Sequence, residues 1–415
     1  MEEPLTNSFR FRKWVKETIS EEVRRVAVVG TGLMGHGIAQ AFAQRGYNVN
    51  LLSRSENSLS KAIREIKWSL DKFAEKGAIS RSEADLVLSR IAPSTSYGEA
   101  LKNVDLIVEA VSENLEVKKQ VFVKIDEFAP SRAIIATNTS TLSVTELGRA
   151  TGRSEKTVGM HWFIPPQLTK LIEVVKGDDT SSETLNAVLD VSRRLGKTPI
   201  LCKKDARGFI VSRILVAVFN EAFWTYHRGE ASKEEIDASG KYNGYFPMGW
   251  FELVDFVGVD IEYDVSKILY EAHGERFRPC LEVTEPLVKK KKLGQKTGAG
   301  FYDWSKGRPS MSADLAGKYD IERSWAVAAN EAAWMVLDNV AEPESIDLGM
   351  KLGTGWVSGP CEYADKKGLD RMLNKLEALH SQYKMELYKP CPLLKYYVEE
   401  GWTGKESGRG FHKYS

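Results

Sequence analysis

Gly30-Thr31-Gly32-Leu33-Met34-Gly35 has the GxGxxG spacing that lets a backbone lie against phosphates. The first glycine permits a tight turn and the second lets the main chain approach a pyrophosphate. The third allows close helix–strand packing, and the helix that begins there points its N–H groups at the anion. Leu33 and Met34 fall in the first helical turn. A ribose reader belongs at the end of the next apolar run, where an acid would accept from a 2′-hydroxyl and repel a 2′-phosphate. Ser53 and Arg54 stand there instead. A hydroxyl followed by a guanidinium suits the 2′-phosphate, so NADP(H) is favoured and NAD(H) remains open. A second pair, His161 and Glu173, flanks a Pro165-Pro166 turn. Imidazole exchanges protons near neutral pH, and a carboxylate on its other nitrogen fixes the tautomer and steadies the imidazolium. Alcohol oxidation needs such a base while hydride leaves for a nicotinamide.

These residues need a scaffold, and the patterning supplies one. Residues 26–29, 48–52, 105–111, 133–137, 157–161, 171–175 and 198–202 read as strands. Helix-period stretches at 33–45, 57–75, 115–128 and 182–195 alternate with them. That alternation predicts a mostly parallel sheet covered on both faces. After Asp205 the strand signals stop, and residues 208–229 begin a mainly helical half.

The helical half repeats itself at a constant offset of 110 residues. NEAFW (220–224) recurs as NEAAW (330–334), and GQKTGAGF (294–301) recurs as GKESGRGF (404–411). Gly249, Glu252, Asp255, Gly258 and Asp260 match Gly359, Glu362, Asp365, Gly368 and Asp370. One helical module is therefore present twice. The expected organisation is an N-terminal extension (1–22), a dinucleotide-binding domain (23–207), a first helical copy (208–305), a linker (306–317) and a second copy (318–415). The fold class is an α/β Rossmann-type domain followed by two homologous all-α domains.

Three further stretches, ATNTSTLSVTEL (136–147), GMHWFIPPQLTKLIEVV (159–175) and DARGFIVSRIL (205–215), together resemble the 3-hydroxyacyl-CoA dehydrogenase family. PMGWFELVDFVG (247–258) and KTGAGFYDW (296–304) are similar to its C-terminal helical domain, and the duplication resembles its longer members. The resemblance implies His161 as catalytic acid/base, Glu173 as its orienting partner and Ser140 as hydrogen-bond donor to the substrate's 3-oxygen. It implies cofactor contacts at Glu113, Lys118 and Asn138, and contacts to the CoA portion at Ser69 and Lys76. The reaction would interconvert (3S)-3-hydroxyacyl-CoA and 3-oxoacyl-CoA in a cleft between the first domain and the first helical copy. Two rivals stand beside it: a dehydrogenase of the same fold acting on a free hydroxy acid, and a degenerate scaffold that binds cofactor or acyl-CoA.

The chain departs from the family pattern at three positions. Ile164 replaces the asparagine of HxxNP, Ser212 replaces that of GFIxNR, and Trp250 replaces the proline of PMGPFE. Ser212 retains one hydrogen-bonding group toward substrate, whereas Ile164 retains none.

Composition sets the outer limits. With 415 residues, 42% hydrophobic and 28% charged, the chain has the make-up of a multidomain globular protein. Its 58 basic and 57 acidic side chains leave no global field to draw nucleic acid or a membrane. The four cysteines form no CxxC, so neither a zinc site nor a disulfide framework is expected, and a reducing cytoplasm is the expected compartment. No metal is implied. The FRFRKWV segment near the start is expected to pack on the first domain. The second helical copy is expected to dock on the first and give a monomer with an internal pseudo-dimer.

Overall fold

The computed structural model describes residues 23–414, so the N-terminal FRFRKWV segment lies outside the described residues. The chain forms two compact units. One holds the residues through Thr139 together with Val144–Pro199, and the other holds Ser140–Ser143 with Ile200 onward.

The first unit is built on strands β1 (Arg25–Val29), β2 (Asn48–Leu52), β3 (Ile91–Ser94), β4 (Leu106–Glu109), β5 (Ile134–Thr137), β6 (Thr157–Trp162) and β7 (Leu171–Val175); the last strand of the sheet, β8 (Thr198–Cys202), begins in this unit and ends in the other. Their spatial order is β3-β2-β1-β4-β5-β6-β7-β8. Pairing is parallel from β3 through to β6, and β7 runs antiparallel to β6. Helices α1 (Leu33–Gln44), α2 (Glu56–Glu75), α3 (Arg81–Ser89), α4 (Tyr97–Leu101), α5 (Leu115–Phe128), α6 (Val144–Gly148) and α7 (Ser182–Arg194) make the connections. Along β1, Val26 and Val28 join an apolar layer with Ile38 and Phe42 of α1, while Ala27 and Val29 join another with Phe122 and Ile125 of α5. Strand alternation sends successive side chains to opposite faces, and here both faces are buried. Strand order reverses between β1 and β4, and ligands of such sheets bind at the strand ends beside that reversal.

The second unit holds α8 (Val211–His227), α9 (Lys233–Tyr242), α10 (Trp250–Val257), α11 (Val259–His273) and α12 (Leu281–Lys289), followed by α13 (Glu322–Leu337), α14 (Pro343–Thr354), α15 (Pro360–Lys367), α16 (Leu369–Tyr383) and α17 (Pro392–Glu399). α10 and α15, and likewise α11 and α16, begin and end at residues 110 apart. In each copy an aspartate, Asp255 or Asp365, accepts the N–H of Phe301 or Phe411 at 2.8 Å. A Cβ at Gly300 or Gly410 would lie 2.0 Å from that carboxylate, which explains why this glycine recurs.

The copies pack through α8 and α13, and their ion pairs are reciprocal. Arg213 Nε donates to Glu331 at 2.9 Å, and Arg323 pairs with Glu221 at 2.6 Å. Each arginine thus meets the partner copy's version of one glutamate, the signature of a twofold interface. Trp250 belongs to this junction. It is fully buried, packs against Phe246 with ring centroids 4.4 Å apart and donates from Nε1 to Ser324 at 3.1 Å. Phe246 in turn meets Trp325 and Trp356 at 4.9 and 4.6 Å. The departure at Trp250 therefore fills the seam between copies.

Through this seam the two helical copies pack into one compact unit. The unit also takes in residues 200–207, where the Lys203 N–H donates to Val340 O at 2.7 Å. The linker is not a loose tether either. Met311 is buried, and the Gly317 N–H donates to Ser239 Oγ at 3.1 Å.

One position breaks the internal symmetry at a cost. Glu262 on α11 is 5% exposed, and its Oε1 has no hydrogen-bond partner; the counterpart Met372 is a core residue. Burial alone pushes the Glu262 carboxyl well above its ordinary value of 4.5. The folded state therefore prefers the neutral form, and the penalty grows as pH rises past the unfolded pKa. Glu262→Met is expected to stabilise by about 1–3 kcal/mol at pH 7, the cost of an unsatisfied buried polar group, and by less at pH 4. Denaturant unfolding at both pH values checks this; a destabilised variant, or an equal gain at both, contradicts it.

Candidate active site

The glycine motif has the geometry its spacing predicts. Gly30 has φ +113°, and a Cβ there would lie 2.4 Å from Ala110 O at the end of β4. At Gly35 a Cβ would lie 2.0 Å from Gly30 O, so helix and turn touch. At Gly32 a Cβ would meet nothing within 4 Å, so this face is open to an approaching group. Gly32 caps α1 without a side-chain hydrogen bond, and the first turn holds no acid, so its N–H groups are presented to an anion. Leu33 is exposed and Met34 half-buried. These residues fit the pyrophosphate of a dinucleotide. Ser53 is half-buried beside Thr31, whose hydroxyl lies 3.3 Å from it, and Arg54 is exposed.

Beside this motif lies a buried polar cluster that the sequence reading saw only in part. Glu109, the last residue of β4, has no exposed surface. It accepts from the Val111 N–H at 2.7 Å, Thr137 Oγ1 at 2.7 Å and Lys118 Nζ at 2.8 Å. Lys118, 1% exposed, also meets Glu113 at 3.2 Å, and Glu113 accepts from the Thr139 hydroxyl. Burial opposes the Lys118 charge, yet the two glutamates beside it hold its pKa above the ordinary lysine value. Lys118 is thus a buried strut that positions Glu113. Asn138 has a comparable role: its side-chain oxygen accepts the Trp162 N–H at 2.9 Å and ties the end of β5 to the strand carrying His161.

His161 and Glu173 are direct partners across the antiparallel β6–β7 pair. His161 Nδ1 lies 2.5 Å from Glu173 Oε2, with the histidine 7% exposed and the glutamate fully buried. The cross-strand register accomplishes what the Pro-Pro turn suggested. The Phe163 ring sits 4.5 Å from the imidazole. After it, Ile164 is 41% exposed.

Lys197 anchors this turn, and it was not singled out from sequence. Its ammonium donates to Pro166 O at 2.6 Å and Thr169 O at 2.5 Å, and burial lowers its pKa to about 8, with Arg45 adding to the effect. A lysine just before a strand looks like a surface residue until the fold lays the turn over it.

The remaining predicted residues are spread more widely. Ser69 is buried on α2, and Lys76, at the C-terminal cap of that helix, is exposed. Ser140 belongs to the helical unit, in a segment where Ser143 Oγ donates to Asp205 at 2.5 Å. Ser212 lies half-buried in the first turn of α8, in the same unit.

Comparison with known proteins identifies this arrangement. The family model for the 3-hydroxyacyl-CoA dehydrogenase NAD binding domain matches residues 25–206, and the model for the family's C-terminal domain matches twice, at 208–304 and 321–414. Mitochondrial hydroxyacyl-coenzyme A dehydrogenase of Sus scrofa is 42% identical over 68% of this chain and 91% of its own. The 3-hydroxyadipyl-CoA dehydrogenase of Escherichia coli is 30% identical over 90% of this chain and 97% of its own. The crystal structure of 3-hydroxybutyryl-CoA dehydrogenase from Escherichia coli superposes with a TM-score of 0.84 at 29% identity, covering 92% of this chain and 99% of that one. With its glycine-rich turn, its paired histidine and glutamate and its doubled helical domain, the chain belongs to the 3-hydroxyacyl-CoA dehydrogenase family.

Proposed function

We propose that this chain interconverts a 3-hydroxyacyl-CoA and the corresponding 3-oxoacyl-CoA, with His161 as acid/base. The observation that carries the reading is the His161–Glu173 pair at 2.5 Å, buried at the end of two paired strands. With Nδ1 committed to Glu173, proton exchange falls to Nε2, and the carboxylate stabilises the imidazolium formed when the substrate hydroxyl gives up its proton. Ser140 hydrogen-bonds the 3-oxygen, and Ser212 supplies a second polar contact. Glu113, held by Lys118, and Asn138 line the cofactor side, while Ser69 and Lys76 serve the CoA portion. When bound, the nicotinamide accepts or returns the hydride. Gly30, Gly32 and Gly35 hold its pyrophosphate at the N-terminus of α1.

The cofactor preference rests on Ser53 and Arg54. An exposed guanidinium with no acid at the end of β2 favours the 2′-phosphate of NADPH over the hydroxyl of NADH. NADPH is expected to bind at least about tenfold more tightly than NADH, the lower range for a charge-assisted hydrogen bond, and Arg54→Ala should erase most of the difference. Titration of both cofactors, paired with an assay of acetoacetyl-CoA reduction, tests this. Equal affinities in the unmodified protein would remove the preference, and absence of turnover with either cofactor would remove the activity. A monomer working in the cytoplasm is the accompanying proposal, since the α8 face that would otherwise seek a partner is covered by α13 of the same chain.

A further inference from the structure

The antiparallel β6–β7 pair sets His161 opposite Glu173 and Trp162 opposite Ile172. The hairpin connection does not fix that register by itself. Short turns impose a register through their own backbone geometry, whereas residues 163–170 make a long connection between the two strands. Nor does polarity choose it. Every residue of β6 and β7 is buried, so neither strand has a solvent face that a slip would expose. Yet the pair tolerates no error. A slip of one residue would turn His161 and Glu173 to opposite faces, and a slip of two would part them by roughly 7 Å along the strands.

Lys197 holds the connection from outside the hairpin. Its ammonium donates to Pro166 O at 2.6 Å and Thr169 O at 2.5 Å, and it lies 5.5 Å from the ring centroid of Trp162, the residue after His161. The following residue, Thr198, donates its N–H to Lys170 O at 2.7 Å. On α1, a Cβ at Gly37 would lie 2.8 Å from Gln167 Oε1 and 3.0 Å from Pro166 Cδ, so the helix opened by the glycine motif backs the same connection. Lysine is not the simplest way to fill this space. Burial and the neighbouring Arg45 both oppose its charge, and among the described residues its partners are two carbonyls and an indole ring, with no carboxylate. Methionine would serve if packing alone were needed. An ammonium adds several N–H donors at one point.

We infer that Lys197 is a positioning residue for the acid/base: by gripping the 163–170 connection at Pro166 and Thr169, it fixes the β6–β7 register in which His161 Nδ1 meets Glu173. Its effect on turnover rests on the proposed reaction, whereas its effect on the imidazole does not. With the grip in place, Glu173 keeps a proton on Nδ1 and leaves Nε2 for the substrate. Without it the connection shifts, and the carboxylate no longer meets Nδ1 in every molecule. A share of the imidazoles then carries its proton on Nε2 instead.

Lys197→Met in the full-length protein tests this by two readings. Turnover of acetoacetyl-CoA, counted per cofactor-binding site, is expected to fall by at least about tenfold, within what a displacement on the order of 1 Å costs, while dinucleotide Kd changes by less than about threefold. A merely structural lysine would lower the number of sites and leave turnover per site unchanged. Nitrogen NMR of protein labelled at histidine reads the tautomer directly. His161, one of six histidines and assigned by its absence in His161→Gln, should carry a proton on Nδ1 in the unmodified protein and show a mixture in Lys197→Met. Lys197→Arg keeps a charged donor and should hold turnover within about threefold of the unmodified protein, with one tautomer. If Lys197→Met yields no binding sites, Lys197→Gln supplies the same two readings with a neutral donor. Unchanged turnover per site, or a fall in turnover with the tautomer unchanged, overturns the assignment, as does an arginine variant that falls as far as the methionine one. An unmodified protein with Nδ1 protonated but no turnover with NADH or NADPH would instead overturn the proposed reaction, and the tautomer comparison alone would then decide the role of Lys197.

Discussion

His161→Gln is expected to lower kcat by at least about 100-fold, the lower end of what a positioned acid/base contributes. Glutamine can still hydrogen-bond, but it cannot take up a proton at neutral pH, so the alcohol loses its acceptor while its surroundings stay in place. Dinucleotide affinity should change little, because the phosphate-binding turn at Gly30–Gly35 and the Ser53-Arg54 pair follow β1 and β2, with β4 and β5 between those strands and β6. Glu173→Gln should also reduce kcat, because a carboxamide neither fixes the same tautomer nor offsets the imidazolium charge. Reduction of acetoacetyl-CoA followed at saturating cofactor gives the first comparison, and equilibrium titration of cofactor gives the second. Wild-type turnover in His161→Gln would mean that another group moves the proton. A large loss of cofactor affinity would mean that the histidine is chiefly a strut.

The features legible from sequence are those with a local physical cause. β2, β7 and β8 span the expected residues, because apolar runs bounded by turn signals leave few alternatives. The offset of 110 residues was visible because the repeated glycines and aspartates each serve one local turn, as Gly300 and Gly410 do against Asp255 and Asp365. β3 escaped because Ile91-Ala-Pro-Ser has one apolar residue facing inward and a proline, the pattern of an edge strand. α3 escaped although Ser80 and Glu83 form a capping box that could have marked its start. At the site, the motif residues were accessible while their supports were not. Glu109 sits inside an otherwise apolar strand, and only the fold shows that Lys118 and Thr137 converge on it. Lys197 is a surface-like lysine until two carbonyls of a distant turn arrive at its ammonium. Ser140 follows a strand of one unit yet belongs to the other, a division that depends on contacts far along the chain.

The largest expected effect on stability comes from the seam between the helical copies. Arg213 and Glu331 are 1% and 2% exposed, and Arg276 stands 3.3 Å from the same glutamate. Glu331→Ala would leave the Arg213 guanidinium buried without its counter-charge, which costs about 3–5 kcal/mol. Against a total of roughly 5–15 kcal/mol, that is enough to bring the unit close to unfolding at ordinary temperature. The mirror pair is not equivalent. Glu221 also accepts from Tyr388, from Tyr319 at 3.3 Å and from Thr225 at 3.0 Å, so Glu221→Ala takes an acceptor from three hydroxyls, while Arg323 keeps Glu230 at 2.8 Å; a cost of similar size is expected. Replacing the pair together, as Arg213→Met with Glu331→Leu, should recover part of the loss, because the buried Arg213 charge is gone while Arg276 still loses the glutamate it faces. Denaturant unfolding of the single and double variants measures the coupling, and light scattering reads the mass alongside. If Glu331→Ala costs less than about 1 kcal/mol, the seam is not held by these charges. If the full-length protein has the mass of a dimer joined through α8, the second copy is not the partner that α8 requires.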